Sequence, residues 1–531
     1  MDANPRAPFL QYRKGDEVVS LSYDEVAAEV DQRAKHFVQS GFQKGERIAI
    51  LGENSCEWVI AYLAIVRAGC IVVPLDAVMP LPEIMHILEL SGARLLLCSD
   101  RFIDQCRELP AQQEQQVDVT LLGHEISPQS ASTLPKDLQP SDLAAIIFTS
   151  GTTGHSKGVM LSHGNLVSNV LACCEVCDIR GVDNFLLLLP LHHTFSSTVT
   201  MLLPIAKGAR ATLATSYRSR DVVDDIRNGE VSVLVGVPQI FENMMNSVLR
   251  AVESSGLTKR LLFHSFLKIA QFSRFLGMNL GQTLFSSLRV KAGLSSVRLM
   301  VSGGAALPVS VNRFFESLGF VLIQGYGLTE CSPVLCVNPP SRNKLGSVGP
   351  ALNGITLKIK DPNQSGVGEV CARGPSIMQG YFENEEASNR VLQDGWLNTG
   401  DAGYLDSDGY LHLTGRLKNV IVTSAGKNVY PEEIESKLAA DEALAEALVL
   451  GIARKGNKSE RLCALLKLDE EYLKLHSAHK TPEQIATEII RKYNHGSPSY
   501  QRIREWKLLE GEFTKTSTRK IKRFLYLDYF E

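Results

Sequence analysis

The chain has almost no net charge, no regular cysteine spacing and no apolar leader, and each absence excludes something. Lys and Arg total 55 against 58 Asp and Glu, a formal net charge of −3, so a global nucleic-acid footprint is missing. The opening "DANPRAPFLQYRK" has no apolar core of the kind a secretory signal needs. Eleven cysteines, an odd number at irregular spacings, fit a reducing compartment. "CCEVC" sets Cys174 and Cys177 in a C-x-x-C, but no second ligand pair follows. Buried small side chains on a helix are therefore favoured over a zinc or redox site. Phe185–Ala206 lacks formal charge and is long enough to span a bilayer. Its two prolines, two histidines and Ser/Thr cluster predict a buried strand, a loop at Pro190–Thr194 and a helix instead. There is no internal repeat and no low-complexity tract.

What is present reads as a soluble α/β protein of more than one domain. At 531 residues, 44% apolar and 21% charged, the chain is too long for one ordinary core. Between residues 20 and 100, helical patterns ("LSYDEVAAEVDQRAKHFVQSG", "CEWVIAYLAIVRAG") alternate with strand patterns ("RIAIL", "CIVVPL"), as in a parallel sheet with helical crossovers. Residues 110–140, rich in Gln, Ser and Pro, predict a surface connection. Near residue 350 short strands with tight turns suggest a small β-rich unit. After Lys418, "VIVTSAGKNVYPEEIESKLAA", "EALVLGIA" and "LCALLKL" suggest a small α+β domain, with "GRLKN" as linker. The expected division is a large N-terminal domain over 1–416 and a small, mobile C-terminal domain over 417–531.

The most informative stretch is "FTSGTTGHSKGVMLSHGN", after the apolar run "DLAAIIF". Gly151, Gly154 and Gly158 permit sharp turning with uncovered N–H groups. Ser150, Thr152 and Thr153 add hydroxyls, and Lys157 adds a cation. Such a loop suits phosphate oxygens. It is not a nucleoside-triphosphatase P-loop, because Ser156 sits where the second Gly should be and Gly158 where the hydroxyl should be.

Four further stretches are weak singly. "SGGAALP" holds a glycine pair at a strand-to-turn junction. "QGYGLTE" sets an aromatic, a hydroxyl and a carboxylate within a few residues. "WLNTGDAGYLDSDGYLHLTGR" holds Asp401 and Arg416, and "FTKTSTRKIKR" is basic. In this order they resemble the adenylate-forming superfamily of acyl-CoA synthetases, peptide-synthetase adenylation domains and beetle luciferases. The resemblance runs from about Leu21 to Arg523.

That resemblance implies ATP, Mg²⁺ and coenzyme A as substrates and cofactors, and it implies residue roles. Thr149, Ser150, Gly151, Thr152, Thr153, Gly154 and Lys157 would hold the β- and γ-phosphates. Gly303, Gly304 and Ala305, with Gln324, Gly325 and Tyr326, would form the adenine slot. Thr329 would contact the α-phosphate, Glu330 would hold Mg²⁺, and Asp401 with Arg416 would take the ribose. Lys418 falls at the hinge, Lys520 at the C-terminal catalytic lysine, and Gly426 beside the pantetheine tunnel. Two departures stand out: Ser156 replaces the family's proline before the loop lysine, and Thr514 and Arg519 replace a proline and a glycine near Lys520.

Amino-acid-activating members carry an Asp near His193; "LPLHHTFSSTV" has none. The pocket candidates His193, Val237 and Pro238 sit in mostly apolar stretches, favouring a fatty acid of medium or long chain. Residues 250–298 hold eight Lys/Arg and one acid, Glu253, and include the amphipathic "LLFHSFLKIAQFSRFLG". This insertion resembles that of long-chain fatty acyl-CoA synthetases. Peripheral contact with an anionic, inner-face membrane, or a helical hairpin packed on the large domain, would each account for it. The expected location is cytoplasmic, and a homodimer stays open. The alternatives are a carrier-protein-loading fatty acyl-AMP ligase, an aryl-acid CoA ligase, a luciferase-like oxygenase, and a nucleotide-binding sensor without catalysis. The sensor would be expected to lack Glu330 or Lys520, and both are present.

Overall fold

The computed structural model describes residues 4–15, 17–107, 117–123, 133–149, 156–423, 427–439, 441–453, 460–476, 480–515 and 521–530. The chain forms two compact units, Met1–Thr356 with Ala372–Leu397, and Leu357–Cys371 with Asn398–Glu531. Both are mixed α and β, as the patterning predicts.

The larger unit holds two sheets. In one, the strands Val321–Gly327, Leu299–Ser302, Val233–Gly236, Asn184–Leu187, Arg210–Leu213 and Pro8–Lys14 lie side by side and parallel, with antiparallel Val334–Val337 and Glu17–Ser22 at the edges. Successive residues feed opposite faces: Phe185 joins the core that contains Val235 and Ile323, and Leu186 the one that contains Phe241 and Phe315. The other sheet runs Gly380–Tyr381, Lys157–Ser162, Leu143–Thr149, Ile71–Leu75, Arg47–Leu51, Leu95–Cys98 and Asp118–Leu121. Its last strand corrects the reading of 110–140 as only a connection: Asp118–Leu121 pairs in parallel with Leu95–Cys98. The local composition hid it, because an edge strand needs only one partner.

The helices begin where the sequence supplies caps. Ser22 accepts from the N–H of Glu25 while the Glu25 carboxylate accepts from the N–H of Ser22, starting Tyr23–Gln39. The uncharged run resolves as expected into the strand Asn184–Leu187 and short helical turns from Thr194 to Lys207. Among the described residues no helix is long and apolar enough to cross a membrane. Cys173, Cys174 and Cys177 are buried and free, and burial raises the thiol pKa of each, that of Cys177 to about 12.

The smaller unit contains the strand Trp396–Leu405 from Asn398 onward, its antiparallel partner Leu411–Arg416, and a three-stranded sheet of Leu444–Ala453, Glu460–Leu468 and Glu505–Leu508. The helices Pro431–Leu438 and Pro482–His495 supply Ile434, Leu438, Ile485 and Ile489 to its core. The β-rich stretch thus clusters with the C-terminal residues. One reason is local: a Cβ on Gly415 would stand 2.5 Å from a Glu432 carboxylate oxygen and 3.2 Å from the Tyr430 side chain.

Candidate active site

The three parallel strands Val233–Gly236, Leu299–Ser302 and Val321–Gly327 run in register, Gly236 opposite Ser302 and Ser302 opposite Gln324. Their C-terminal ends therefore bring together Val237 and Pro238, Gly303 to Ala305, and Gln324 to Tyr326. That edge is where open α/β sheets bind ligands. Each candidate has a backbone reason to be there. A Cβ on Gly303 would sit 2.6 Å from the Phe195 ring, and Gly304 has φ +81°. The Gly303 N–H donates to Gly236 O at 3.1 Å. In "YGLTE", a Cβ on Gly327 would lie 1.8 Å from Pro333 O, so only glycine lets the chain turn into the 3-10 helix Thr329–Cys331.

That turn presents Glu330. The Tyr381 hydroxyl donates to Glu330 Oε1 at 2.8 Å, and the Lys157 ammonium stands 5.0 Å from the centre of the Tyr381 ring. Gly380–Tyr381 is fixed by pairing with Val159 and Met160, two and three residues beyond Lys157. Three segments distant in sequence thus place a cation, a phenol and a carboxylate in one cluster. A half-buried carboxylate such as Glu330 suits the oxygen-rich coordination that Mg²⁺ takes with nucleotide phosphates.

Thr149 and Lys157 are opposed in an antiparallel pair; Ser150, Gly151, Thr152, Thr153 and Gly154 lie outside the described residues. Ser156, the departure from the family's proline, donates its hydroxyl to Glu83 Oε1 at 3.1 Å. A hydrogen bond to the helix Leu81–Ser91 restrains this end of the loop where a proline ring would have stiffened it.

His193 is half-buried and in contact with the fully packed His192, their Nε2 atoms 3.2 Å apart. The local stretch has no acid, but the fold brings one from elsewhere: Asp76 Oδ1 lies 3.5 Å from His192 Nε2. Asp76 also accepts from the N–H of Val78 at 3.0 Å. The absence of an acid in the sequence around His193 is thus not an absence in space: the Asp76 carboxylate and the His192 and His193 rings present polar atoms within 4.8 Å of one another.

In the smaller unit Asp401 and Arg416 are cross-strand partners, with Nε to Oδ1 at 2.7 Å. Asp401 is 6% exposed; its N–H donates to Thr399 Oγ1, which in turn donates to Val370 O. Lys418 lies in the 3-10 turn Leu417–Asn419 directly after this strand. Gly426 and Lys520 lie outside the described residues. The residues flanking them are paired, Val422 with Asn428 and Lys515 with Ile521. Thr514, the second departure, is anchored by its N–H to the Tyr526 hydroxyl at 2.6 Å.

Sequence reasoning missed Tyr381. Nothing in the spacing of "MQGYFENEE" signals it; its role arises from pairing with the strand that carries Lys157. It also missed Asp76, Phe195 and Glu83, for the same reason.

Comparison with known proteins agrees with this geometry. The AMP-binding enzyme family model matches residues 1–382, and the AMP-binding enzyme C-terminal domain model matches 418–531. A long-chain-fatty-acid–CoA ligase of Mycobacterium bovis is 27% identical over 554 residues, covering 95% of this chain and 90% of that enzyme. A feruloyl-CoA synthase of Amycolatopsis is 28% identical, covering 82% of this chain and 81% of that enzyme. The ATP-bound crystal structure of MatB from Rhodopseudomonas palustris superposes with a TM-score of 0.81 at 25% identity, covering 100% of this chain and 98% of that one. With its strand-end glycines, its Lys157–Tyr381–Glu330 cluster and its two matched domains, the chain belongs to the AMP-binding enzyme family, and its fold is that of the adenylate-forming enzymes.

Proposed function

We propose that this chain is an AMP-forming acid–CoA ligase whose acid is a medium- or long-chain fatty acid. The observation that carries the reading is the Glu330 carboxylate held by Tyr381 beside Lys157. The apolar stretches around Val237, Pro238 and His193 and the fatty-acid relative support the acyl class.

The chemistry demands such groups. A carboxylate must attack the α-phosphorus of ATP, and both are anions. Mg²⁺ bound with ATP neutralises phosphate charge and polarises the phosphoryl group; Glu330 is the residue that would hold it. Lys157 and the loop donors from Thr149 to Gly154 take the charge gathering on departing pyrophosphate. Thr329 contacts the α-phosphate. Gly303–Ala305 and Gln324–Tyr326 accept the adenine, and Asp401, steered by Arg416, takes the ribose hydroxyls. Lys520 offsets the approach of the two anions. The thiol of CoA, with an intrinsic pKa of about 8.5, then attacks the acyl-adenylate carbonyl past Gly426, and AMP leaves. The domain that follows Lys418 serves the two half-reactions in turn by rotating there, on the division 1–416 and 417–531. A peripheral, inner-face location belongs to the same reading; a homodimer is left to sedimentation.

A panel of carboxylic acids assayed for pyrophosphate release with and without CoA tests the reading. Fatty acids should turn over with CoA dependence and free amino acids should be inert. An aryl acid is the second reading, favoured by the Phe195 ring against Gly303 and the feruloyl relative; faster turnover of a cinnamic acid than of any fatty acid would select it. Acylation of a carrier protein in place of CoA would select the carrier-loading alternative.

A further inference from the structure

The helix Leu257–Phe275 within the insertion carries apolar residues on two sides. At about 100° per residue, Phe263, Phe266, Leu267 and Ala270 share one face, and all four pack into the core around Phe241, Phe314 and Phe315. The packed-hairpin expectation is therefore met on that face. The opposite face should then be polar, and it is only partly so: His264, Ser265 and Lys268 occupy its middle, with exposed apolar residues on either side of them. Leu257, Leu261, Phe272 and Phe275 fall within an arc of about 60° and are 69%, 58%, 65% and 85% exposed. Leu276, Met278 and Leu280 continue the exposed apolar series past the helix end. A globular surface seldom leaves such a stripe uncovered without a partner.

The charges around it narrow the partner. Lys259, Arg260 and Lys268 are exposed on this helix, and among the described residues no carboxylate pairs with them. Arg274, which composition alone would add to that set, is instead spent on Glu316 at 3.4 Å. Arg289 is turned inward to Gly319 O and Val297 O, over the Phe320 ring. Lys268 lies within the arc of the exposed apolar residues and Arg260 flanks it, while Lys259 projects to the other side of the helix. What remains is an apolar edge with one cation on it and one beside it, the arrangement that lies in an anionic lipid interface and does not cross it. The preceding helix, Pro238–Glu253, begins at the strand end that carries Val237, and its length of about 24 Å joins the candidate acyl pocket to that edge.

We propose that this outer face of Leu257–Phe275 docks the protein on an anionic bilayer, seating Leu257, Leu261, Phe272 and Phe275 among the lipid chains. The inference rests on the fatty-acid reading only for why a bilayer would be useful; the docking stands on the helix itself. The test is flotation of the full chain with vesicles of phosphatidylcholine alone or mixed with phosphatidylglycerol. The unmodified protein should float with the anionic vesicles at low salt. The triple variant Leu261→Ser, Phe272→Ser, Phe275→Ser should lose at least about tenfold in partition. The double variant Arg260→Gln, Lys268→Gln should lose up to about thirtyfold on anionic vesicles. Both should keep the turnover of a short, soluble acid, which also certifies folding. Absence of flotation by the unmodified protein overturns the proposal, and so does unchanged flotation of the serine variant. Sedimentation of the unmodified protein as a dimer that the serine variant dissolves, without flotation, assigns the face to a second copy and equally overturns it. Failure of the fatty-acid reading would show separately, in the acid panel run without vesicles.

Discussion

The two compact units position their candidate residues by different means. In the larger, candidates from three segments meet because parallel strands end in register and because Gly380–Tyr381 pairs beside Lys157. In the smaller, Asp401 and Arg416 are neighbours across one antiparallel pair, and Gly426 and Lys520 belong to short segments with paired flanks. The larger unit thus gathers its candidates through long-range pairing, and the smaller through local pairing. On the proposed function, the smaller unit would supply the ribose contact as well as the residues needed in only one half-reaction.

The sharpest way to break that comparison is to separate the half-reactions. Lys520→Ala should slow pyrophosphate release by about 10²–10³, the usual loss for one well-aimed charge-stabilising contact. Given preformed acyl-adenylate and CoA, it should still form thioester. Gly426→Leu should do the reverse, because a branched side chain obstructs the thiol's approach. Lys418→Pro, fixing φ near −65°, should leave at most one half-reaction fast. Equal slowing of both steps by Lys520→Ala and Gly426→Leu would replace alternation with a single fixed site.

Within the larger unit, the Glu330–Tyr381 contact allows a graded test. Glu330→Gln should also cost about 10²–10³ in pyrophosphate release. Tyr381→Phe removes one hydrogen bond to a charged group and should cost about 10–100-fold, with a higher Mg²⁺ concentration needed for half-maximal rate. Tyr381→Phe with an unaltered Mg²⁺ requirement would take the phenol out of the site.

Much of this was legible in the sequence because family-like motifs are local. "SGGAALP" and "QGYGLTE" carry their own glycines, and those are the positions where Phe195 or Pro333 leaves no room for a side chain. The alternating patterns of residues 20–100 became the strands Arg47–Leu51 and Ile71–Leu75 and the helices Tyr23–Gln39 and Cys56–Arg67. What was illegible is what pairing creates. Tyr381 and Asp76 acquire meaning only when strands from different parts of the chain lie together. The insertion shows another limit: periodicity detects the packed face of Leu257–Phe275 but not the exposed apolar residues at the two ends of its outer face.

Asp401 offers a milder test in the smaller unit. Asp401→Asn keeps the side chain's shape but weakens the ion pair with Arg416 and, on the proposed function, the hold on the ribose hydroxyls. It should raise KM for ATP about tenfold, as expected for loss of a charge-assisted hydrogen bond, with little change in KM for the acid. A matching rise for the acid would mean that the substitution loosens the unit as a whole.

The smallest expected effect concerns how the smaller unit holds together. Glu435 is half-buried on the helix Pro431–Leu438, accepting from the N–H of Val449 at 2.7 Å and from Arg523 at 2.5 Å. Burial raises its pKa from 4.5 to about 7, with Arg523 opposing the rise. The folded form therefore holds a proton that the unfolded chain has already released between about pH 4.5 and 7. Stability from this group is present below pH 4.5 and is lost as pH rises towards 7. Glu435→Gln removes the titration while keeping an acceptor for Val449. It should flatten the fall in the unit's melting temperature across that window, a change of about 2–4 °C for each kcal/mol involved. The larger unit's transition should not move. If wild type instead gains stability over the same window, Arg523 dominates, and Glu435 is ionised in the folded state throughout.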